Sequence, residues 1–291
     1  MSDLNSEQGV LNRAQINQFW RDGYLKFRKV IDDRQIASLT TALDRVIEDE
    51  LNREDDDGLP PEFRYGHQRG GQGGADRAIH QFVNMWKVVP DYEEVIHNPA
   101  ITGAIRDLMR VDGIRIWHDQ VISKPPGDNK KFGFHHDFYF WPLDRPRMIT
   151  CWLALDRATV DNGCMHNIPG SHRDPRYQPV GCDLSEDIFL APEAQGPGEP
   201  GSLYDPVRTW DVDRARPVEL EPGECMFHHC LNYHMTPQNV TDRQRRAFVM
   251  IYMPDGTRYN RAQSPNHPCT NYLNLTDGAV MGGPGFPICG A

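Results

Sequence analysis

Apolar side chains at Ile16, Phe19 and Trp20 recur at the spacing of one helical face, and Gly23 closes that segment. Tyr24-Leu25-Lys26-Phe27 then alternates as a strand does. Asp32 or Asp33 is placed to cap a second helix, whose stripe runs through Ile36, Leu39, Leu43, Val46, Ile47 and Leu51. Residues 52–75 turn acidic and then rich in glycine, too poor in apolar side chains to pack a core, which predicts a mobile loop. Asn98-Pro99 reads as a cap followed by a proline in the first turn, starting a helix that points Ile101, Ile105 and Leu108 inward. Beyond Gly113 the period shortens. Residues 114–122, 148–155, 224–229 and 247–253 have strand character, each bounded by Pro, Gly, Asn or Asp. Between them, residues 191–217 are rich in proline and glycine, with Tyr204 and Trp210 as the large side chains, an excursion of the kind that often serves as a lid.

Helices first and strands afterwards predict an α+β chain built on one barrel. The expected organisation is one domain over 1–291: a helical part to about 112, a β core over about 113–256, and a tail over 257–291. With 38% hydrophobic residues, a chain of 291 can bury a full core. The net charge of −10 argues against a nucleic-acid surface, which needs clustered Lys and Arg; Arg243-Gln244-Arg245-Arg246 is a short exception. The first residues are polar and acidic, without the apolar centre of a secretory signal, and no apolar stretch has the length of a membrane span. Seven cysteines, an odd number without a paired framework, suit a reducing compartment, and the expectation is a cytoplasmic protein.

The chemistry concentrates in Phe134-His135-His136-Asp137, answered downstream by His234 and then by Arg245. Two residues apart, His135 and Asp137 share one side of an extended strand, while His136 points the other way. With His234 they form a 2-His-1-carboxylate set, which binds one face of an octahedral non-haem Fe(II) and leaves the opposite face for a cosubstrate and O2. Imidazole with carboxylate and no cysteine partner disfavours structural zinc. Arg245, eleven residues past His234, is placed to be the counter-ion for the far carboxylate of a keto acid. Its planar fork and permanent charge suit that task. His228, in a Phe-His pair just upstream, competes for the distal position, but the spacing to the arginine selects His234. Phe138, Tyr139, Phe140 and Trp141 are either core or an aromatic wall beside the metal. His-x-Asp pairs are common by chance, so the surrounding sequence decides their weight.

That surrounding sequence is a set of short blocks in one order. Ser123-Lys124-Pro125-Pro126-Gly127 precedes the pair. Trp152-x-Ala154-Leu155-Asp156, Asn162-Gly163-Cys164-Met165 and Ile168-Pro169-Gly170-Ser171-His172 follow it. Pro222-Gly223-Glu224, Phe227-His228, His234-x-Thr236, Asn239 and Arg245-Arg246-Ala247 complete the set. Together they resemble the phytanoyl-CoA dioxygenase family of Fe(II)/2-oxoglutarate oxygenases, from about Gln15 to Met253. The resemblance implies a double-stranded β-helix, a jelly-roll and cupin-like barrel, with the N-terminal helices packed on one sheet. It implies iron on His135, Asp137 and His234, and 2-oxoglutarate on Arg245, with Arg246 as the alternative in a shifted register. Thr236, Gln120 and Trp152 fall where members line the cosubstrate pocket. The implied reaction consumes Fe(II)-bound 2-oxoglutarate and O2, releases succinate and CO2, and hydroxylates an unactivated carbon. In related halogenases a small residue replaces the carboxylate, so Asp137 points to hydroxylation, with desaturation, ring closure or epimerisation on the same ligands.

The acidic balance and the run Glu54-Asp55-Asp56-Asp57 offer no basic approach for CoA phosphates, so a small CoA-free metabolite is expected over an acyl-CoA. A non-catalytic cupin-like binding protein and a zinc enzyme are the rival readings. Substrate contacts are expected from residues 52–80, 175–216 and the tail after Gly256.

Overall fold

A computed structural model describes residues 9–51, 79–128, 131–173, 212–264, 267, 269–270 and 272–290. Helix α1 (Arg13–Asp22) begins with a reciprocal cap between Asn12 and Gln15 and ends at Gly23, whose φ of 85° is a left-handed value that favours glycine. Strand β1 (Tyr24–Lys29) leads into α2 (Asp33–Leu51). Asp32 is the residue that caps α2: its side chain accepts the Gln35 amide at 2.8 Å, and Gln35 returns the bond at 3.2 Å. Strand β2 (His80–Val83), α3 (Pro90–Ile96) and α4 (Pro99–Met109) follow, and the Asn98 side chain caps α4. The remaining strands are β3 (Ile114–Lys124), β4 (Phe132–His135), β5 (Ile149–Ala154), β6 (Met165–Asn167), β7 (Arg216–Val218), β8 (Glu224–His229), β9 (His234–Thr236) and β10 (Arg245–Pro254).

The strands form two sheets in which every pairing is antiparallel. One has six strands in the order β1-β8-β5-β10-β3-β2, the other four in the order β4-β9-β6-β7. From β3 onward the chain passes back and forth between them. Strand β10 shows how both faces of the larger sheet are used. Phe248, Met250 and Tyr252 pack into the cluster shared with Phe19, Leu39 and Ile105 of the helices, and the Tyr252 hydroxyl donates to Ile96 O at 2.9 Å. Ala247, Val249 and Ile251 face the other way, into a second cluster with Trp152 and Met165. With both faces covered, β5 and β10 are buried almost end to end, which is why they read as near-continuous apolar runs.

The short strands β2, β6, β7 and β9 and the seven-residue helix α3 are absent from the hydrophobic pattern, and β4 enters only through the spacing of the His-x-Asp pair, because so short a segment cannot establish a period. Residues 52–75, expected as a loop, and 191–211 of the excursion expected over 191–217 lie outside the described residues; the end of that excursion is regular instead, with a 3-10 turn over Val212–Arg214 and the start of β7. No helix among the described residues is long and apolar enough to cross a membrane.

Candidate active site

The two sheets bring three metal-ligating side chains together. His135 at the end of β4 and His234 at the start of β9 are direct cross-strand partners, with ring centroids 4.4 Å apart. β4 ends at His135, and Asp137 opens a short 3-10 helix over Asp137–Phe140. The expected extended strand through all three residues therefore stops early. His136 keeps an extended backbone (φ −122°, ψ 143°), so alternation survives the strand end and Asp137 returns to the side of His135. His136 itself is buried, and its Nδ1 accepts the Tyr139 amide at 3.2 Å, capping that helix.

Both imidazoles are oriented by the backbone. His135 Nδ1 lies 2.8 Å from Gly133 O, and His234 Nδ1 lies 2.8 Å from Asn232 O. A carbonyl only accepts, so Nδ1 carries the proton and each Nε2 keeps its lone pair. Asp137 Oδ1 stands 3.7 Å from His135 Nε2 and 3.4 Å from His234 Nε2. Donors in adjacent positions of an octahedron with bonds of about 2.1 Å are roughly 3 Å apart. The three atoms therefore need only small shifts to grip one ion.

The second carboxylate oxygen is anchored. Asp137 Oδ2 accepts from His228 Nε2 and from Thr150 Oγ1, each at 2.9 Å. Burial alone would raise the Asp137 pKa, but the neighbouring His234, His228 and His135 overturn that and hold it well below the usual carboxylate range. Burial, aided by His135, keeps His234 far below its ordinary value, so its ring is neutral and available as a ligand. Such hydrogen-bonded supports fix the direction of a metal ligand. Thr150 carried no sequence signal, and His228 was visible only as a rival ligand.

The same cavity contains Arg245, Thr236, Gln120 and Trp152 with the triad. Arg245 is fully buried, and none of its three guanidinium nitrogens has a hydrogen-bond partner. Its Cζ lies 5.3 Å from the centroid of the Trp152 ring. Burial lowers its pKa to about 10, which leaves it charged at neutral pH. Thr236 Oγ1 is also buried without a partner. A buried cation and a bare hydroxyl facing one cavity fit the far carboxylate of a keto acid. Gln120 Oε1 accepts from Gln81 Nε2 at 2.8 Å, and Lys124, pushed down to about 7 by burial and then by the Arg245 charge, donates to Pro237 O at 2.5 Å. Arg246 leaves the cavity altogether: it forks onto Asp156 and reaches Asp44 of α2.

The aromatic run divides. Phe140 and Trp141 line the cavity, whereas Phe138 is core. From the tail, His267 reaches the cavity wall. The Ile168-to-His172 block turns out to brace the strand that carries His234. Asn232 Nδ2 donates to Ile168 O and Ser171 Oγ at 3.1 and 3.0 Å, and Ser171 Oγ also accepts the Tyr233 amide at 2.8 Å.

A family model described as phytanoyl-CoA dioxygenase (PhyH) matches residues 19–247. Among curated proteins, a probable phytanoyl-CoA dioxygenase of Caenorhabditis elegans is 22% identical over 262 residues, covering 87% of this chain and 78% of the worm protein. Among solved structures, the non-haem α-ketoglutarate-dependent carbocyclase SnoK from nogalamycin biosynthesis superposes with a TM-score of 0.75 at 21% identity, covering 98% of this chain and 100% of SnoK. The epimerase SnoN, in complex with Fe3+, α-ketoglutarate and nogalamycin RO, gives a TM-score of 0.71 at 22% identity, covering 94% and 97%. At such identities the shared property is the fold.

Proposed function

The chain belongs to the phytanoyl-CoA dioxygenase family, and on that premise we propose that its cavity holds Fe(II) on His135, Asp137 and His234 and 2-oxoglutarate on Arg245. The protein is a 2-oxoglutarate-dependent dioxygenase. When bound, iron with 2-oxoglutarate and O2 supplies the oxidising power, and the cosubstrate leaves as succinate and CO2. The chain's own residues do the rest. Nε2 of each histidine and Oδ1 of Asp137 bind the ion, while Thr150 and His228 keep the carboxylate aimed. Arg245 and Thr236 orient the cosubstrate, with Trp152 under the guanidinium and Gln120 on the side wall. The paired sheets form the double-stranded β-helix of one domain, and its apolar inner face excludes bulk water from the reacting centre.

The observation that carries this reading is the unpartnered Arg245 guanidinium, buried in the cavity that the triad lines. An unpaired charge in such a place is costly, and an anionic cosubstrate removes the cost.

The substrate is a small organic metabolite without CoA. Among the described residues that line the cavity, Arg245 is the only arginine or lysine, so nothing there receives the phosphates of a CoA thioester. Hydroxylation of an unactivated carbon is the outcome favoured by the intact carboxylate ligand. Ring closure or epimerisation is the second reading, supported by the fold likeness to SnoK and SnoN. Succinate release with Fe(II), 2-oxoglutarate and O2 across a panel of neutral metabolites and acyl-CoA thioesters tests the assignment. Stimulation by a neutral metabolite is expected. Stimulation confined to the thioesters would overturn the substrate class, and no succinate above the metal-free background would point to a binding protein.

A further inference from the structure

A second group of metal-ligating side chains converges in the interior, apart from the triad: His118 of β3 with His267 and Cys269 of the C-terminal tail. One ligand atom from each lies within 4.8 Å of the other two, and all three residues are buried. The proposed reaction makes no use of them as a set, although His267 also borders the cavity.

The local hydrogen bonds favour a ligand here. His118 Nδ1 lies 3.2 Å from Asp119 O, which puts its proton on Nδ1 and the lone pair on Nε2. That Nε2 is buried and has no hydrogen-bond partner. His135 and His234 show the same arrangement, with Nδ1 on a backbone carbonyl and Nε2 turned inward. A buried acceptor without a partner is unfavourable, and an ion at that point relieves it. Burial pushes the Cys269 thiol up, against the Asn84 hydrogen bond to its side chain, so an ion bound there would have to displace the thiol proton. His267 and Cys269 sit on one tight turn, closed by the Thr270 amide on His267 O at 2.9 Å, so the tail presents both ligands together. His267 Nδ1 accepts the Cys269 amide at 3.1 Å, and coordination would exchange that bond for one to the ion.

Two imidazoles and a thiolate form a soft donor set, which selects thiophilic ions over calcium or magnesium. The thiolate would cancel one positive charge in a buried site flanked by Trp117 and Trp141. The Asp119 carboxyl, held by the Met85 and Trp86 amides at 2.9 and 2.7 Å and raised to about 7 by burial, is close enough to act on Cys269, and a cation there would favour its ionised form. We propose that His118, His267 and Cys269 form a second metal site, which takes zinc(II) or copper(I) and pins the C-terminal tail to β3 at the cavity wall.

Cobalt(II) is the probe, titrated into metal-free full-length protein under anaerobic conditions. The expected result is two cobalt ions per chain and a near-ultraviolet thiolate-to-cobalt absorption. Cys269→Ser and His118→Gln each lose that absorption and one equivalent of cobalt, while Asp137→Ala loses the other equivalent and keeps the absorption. His118→Gln leaves every thiol in place, so it stands in for a serine variant that folds poorly. Displacement of cobalt by zinc(II) or by copper(I) then identifies the preferred ion. No thiolate absorption in the wild-type protein, an absorption that survives both variants, or displacement by neither ion overturns the proposal. A failure of the triad itself would leave the thiolate absorption intact, so the two assignments fail separately.

Discussion

Arg245 and Arg246 are chain neighbours that β10 sends to opposite faces of the six-stranded sheet. Arg245 enters the cavity with three unpartnered nitrogens, whereas Arg246 crosses to the helical side and pairs with Asp156 and Asp44. The alternation of one strand thus separates an unpartnered charge in the cavity from a charge paired in the structure.

Replacing each in turn should give opposite phenotypes. Arg245→Ala is expected to weaken 2-oxoglutarate binding by about two orders of magnitude or more, since breaking a buried ionic pair costs about 3–5 kcal/mol. Without cosubstrate its melting temperature should stay level or rise, because a buried charge with no partner is removed. Arg246→Ala should lower stability by roughly 1–3 kcal/mol and leave 2-oxoglutarate affinity unchanged. Anaerobic titration and thermal unfolding of both variants check the pair. Loss of cosubstrate binding in Arg246→Ala alone would reverse the assignment.

Thr150 and His228 both donate to Asp137 Oδ2, the carboxylate oxygen that faces away from the histidine ligands. Thr150→Val and His228→Phe should each weaken Fe(II) binding by about 10–100-fold while the fold persists. Metal affinity measured beside far-ultraviolet circular dichroism separates loss of aim from loss of structure. Unchanged affinity in both variants would mean that the carboxylate is held by other groups.

Acid should destabilise the metal-free protein earlier than carboxylate titration alone would. Burial lowers His136 and His172 to about 4 and His229 to about 3. An unfolded histidine titrates near 6.5, so between about 6.5 and 4 the unfolded chain binds more protons than the folded one. Stability therefore falls as pH falls through that window, by up to about 1.4 kcal/mol per pH unit for each histidine. Denaturant midpoints at pH 7, 6 and 5 provide the measurement, and a flat profile would contradict the neutral burial of these rings.

The long elements were legible because each repeats its pattern over two turns or several strand residues. Ile36 to Leu51 and residues 247–253 are examples. Strands β4 and β9 were not, since three or four residues carry no period, yet they bear His135 and His234. Their positions were readable from chemistry instead, through the His-x-Asp pair and the distal histidine. The Ile168-to-His172 block and Asn239 were visible as sequence features without a visible task. In the fold they brace backbone: Asn239 Nδ2 donates to Lys124 O, Pro125 O and Arg243 O, tying β3 to the approach of β10. Thr150 and His267 could not be singled out from sequence, because Thr150 meets Asp137 across 13 residues and His267 reaches the cavity wall from the tail only in the folded chain.

The central claim is that His135, Asp137 and His234 bind iron in the cavity where Arg245 binds 2-oxoglutarate. Anaerobic addition of Fe(II) and then 2-oxoglutarate to metal-free protein, followed by visible absorption, tests it most directly. A weak charge-transfer absorption should appear only when both are present, and should vanish in His234→Ala and in Asp137→Ala. No absorption in the wild-type protein, or an equal one in both variants, would contradict the account.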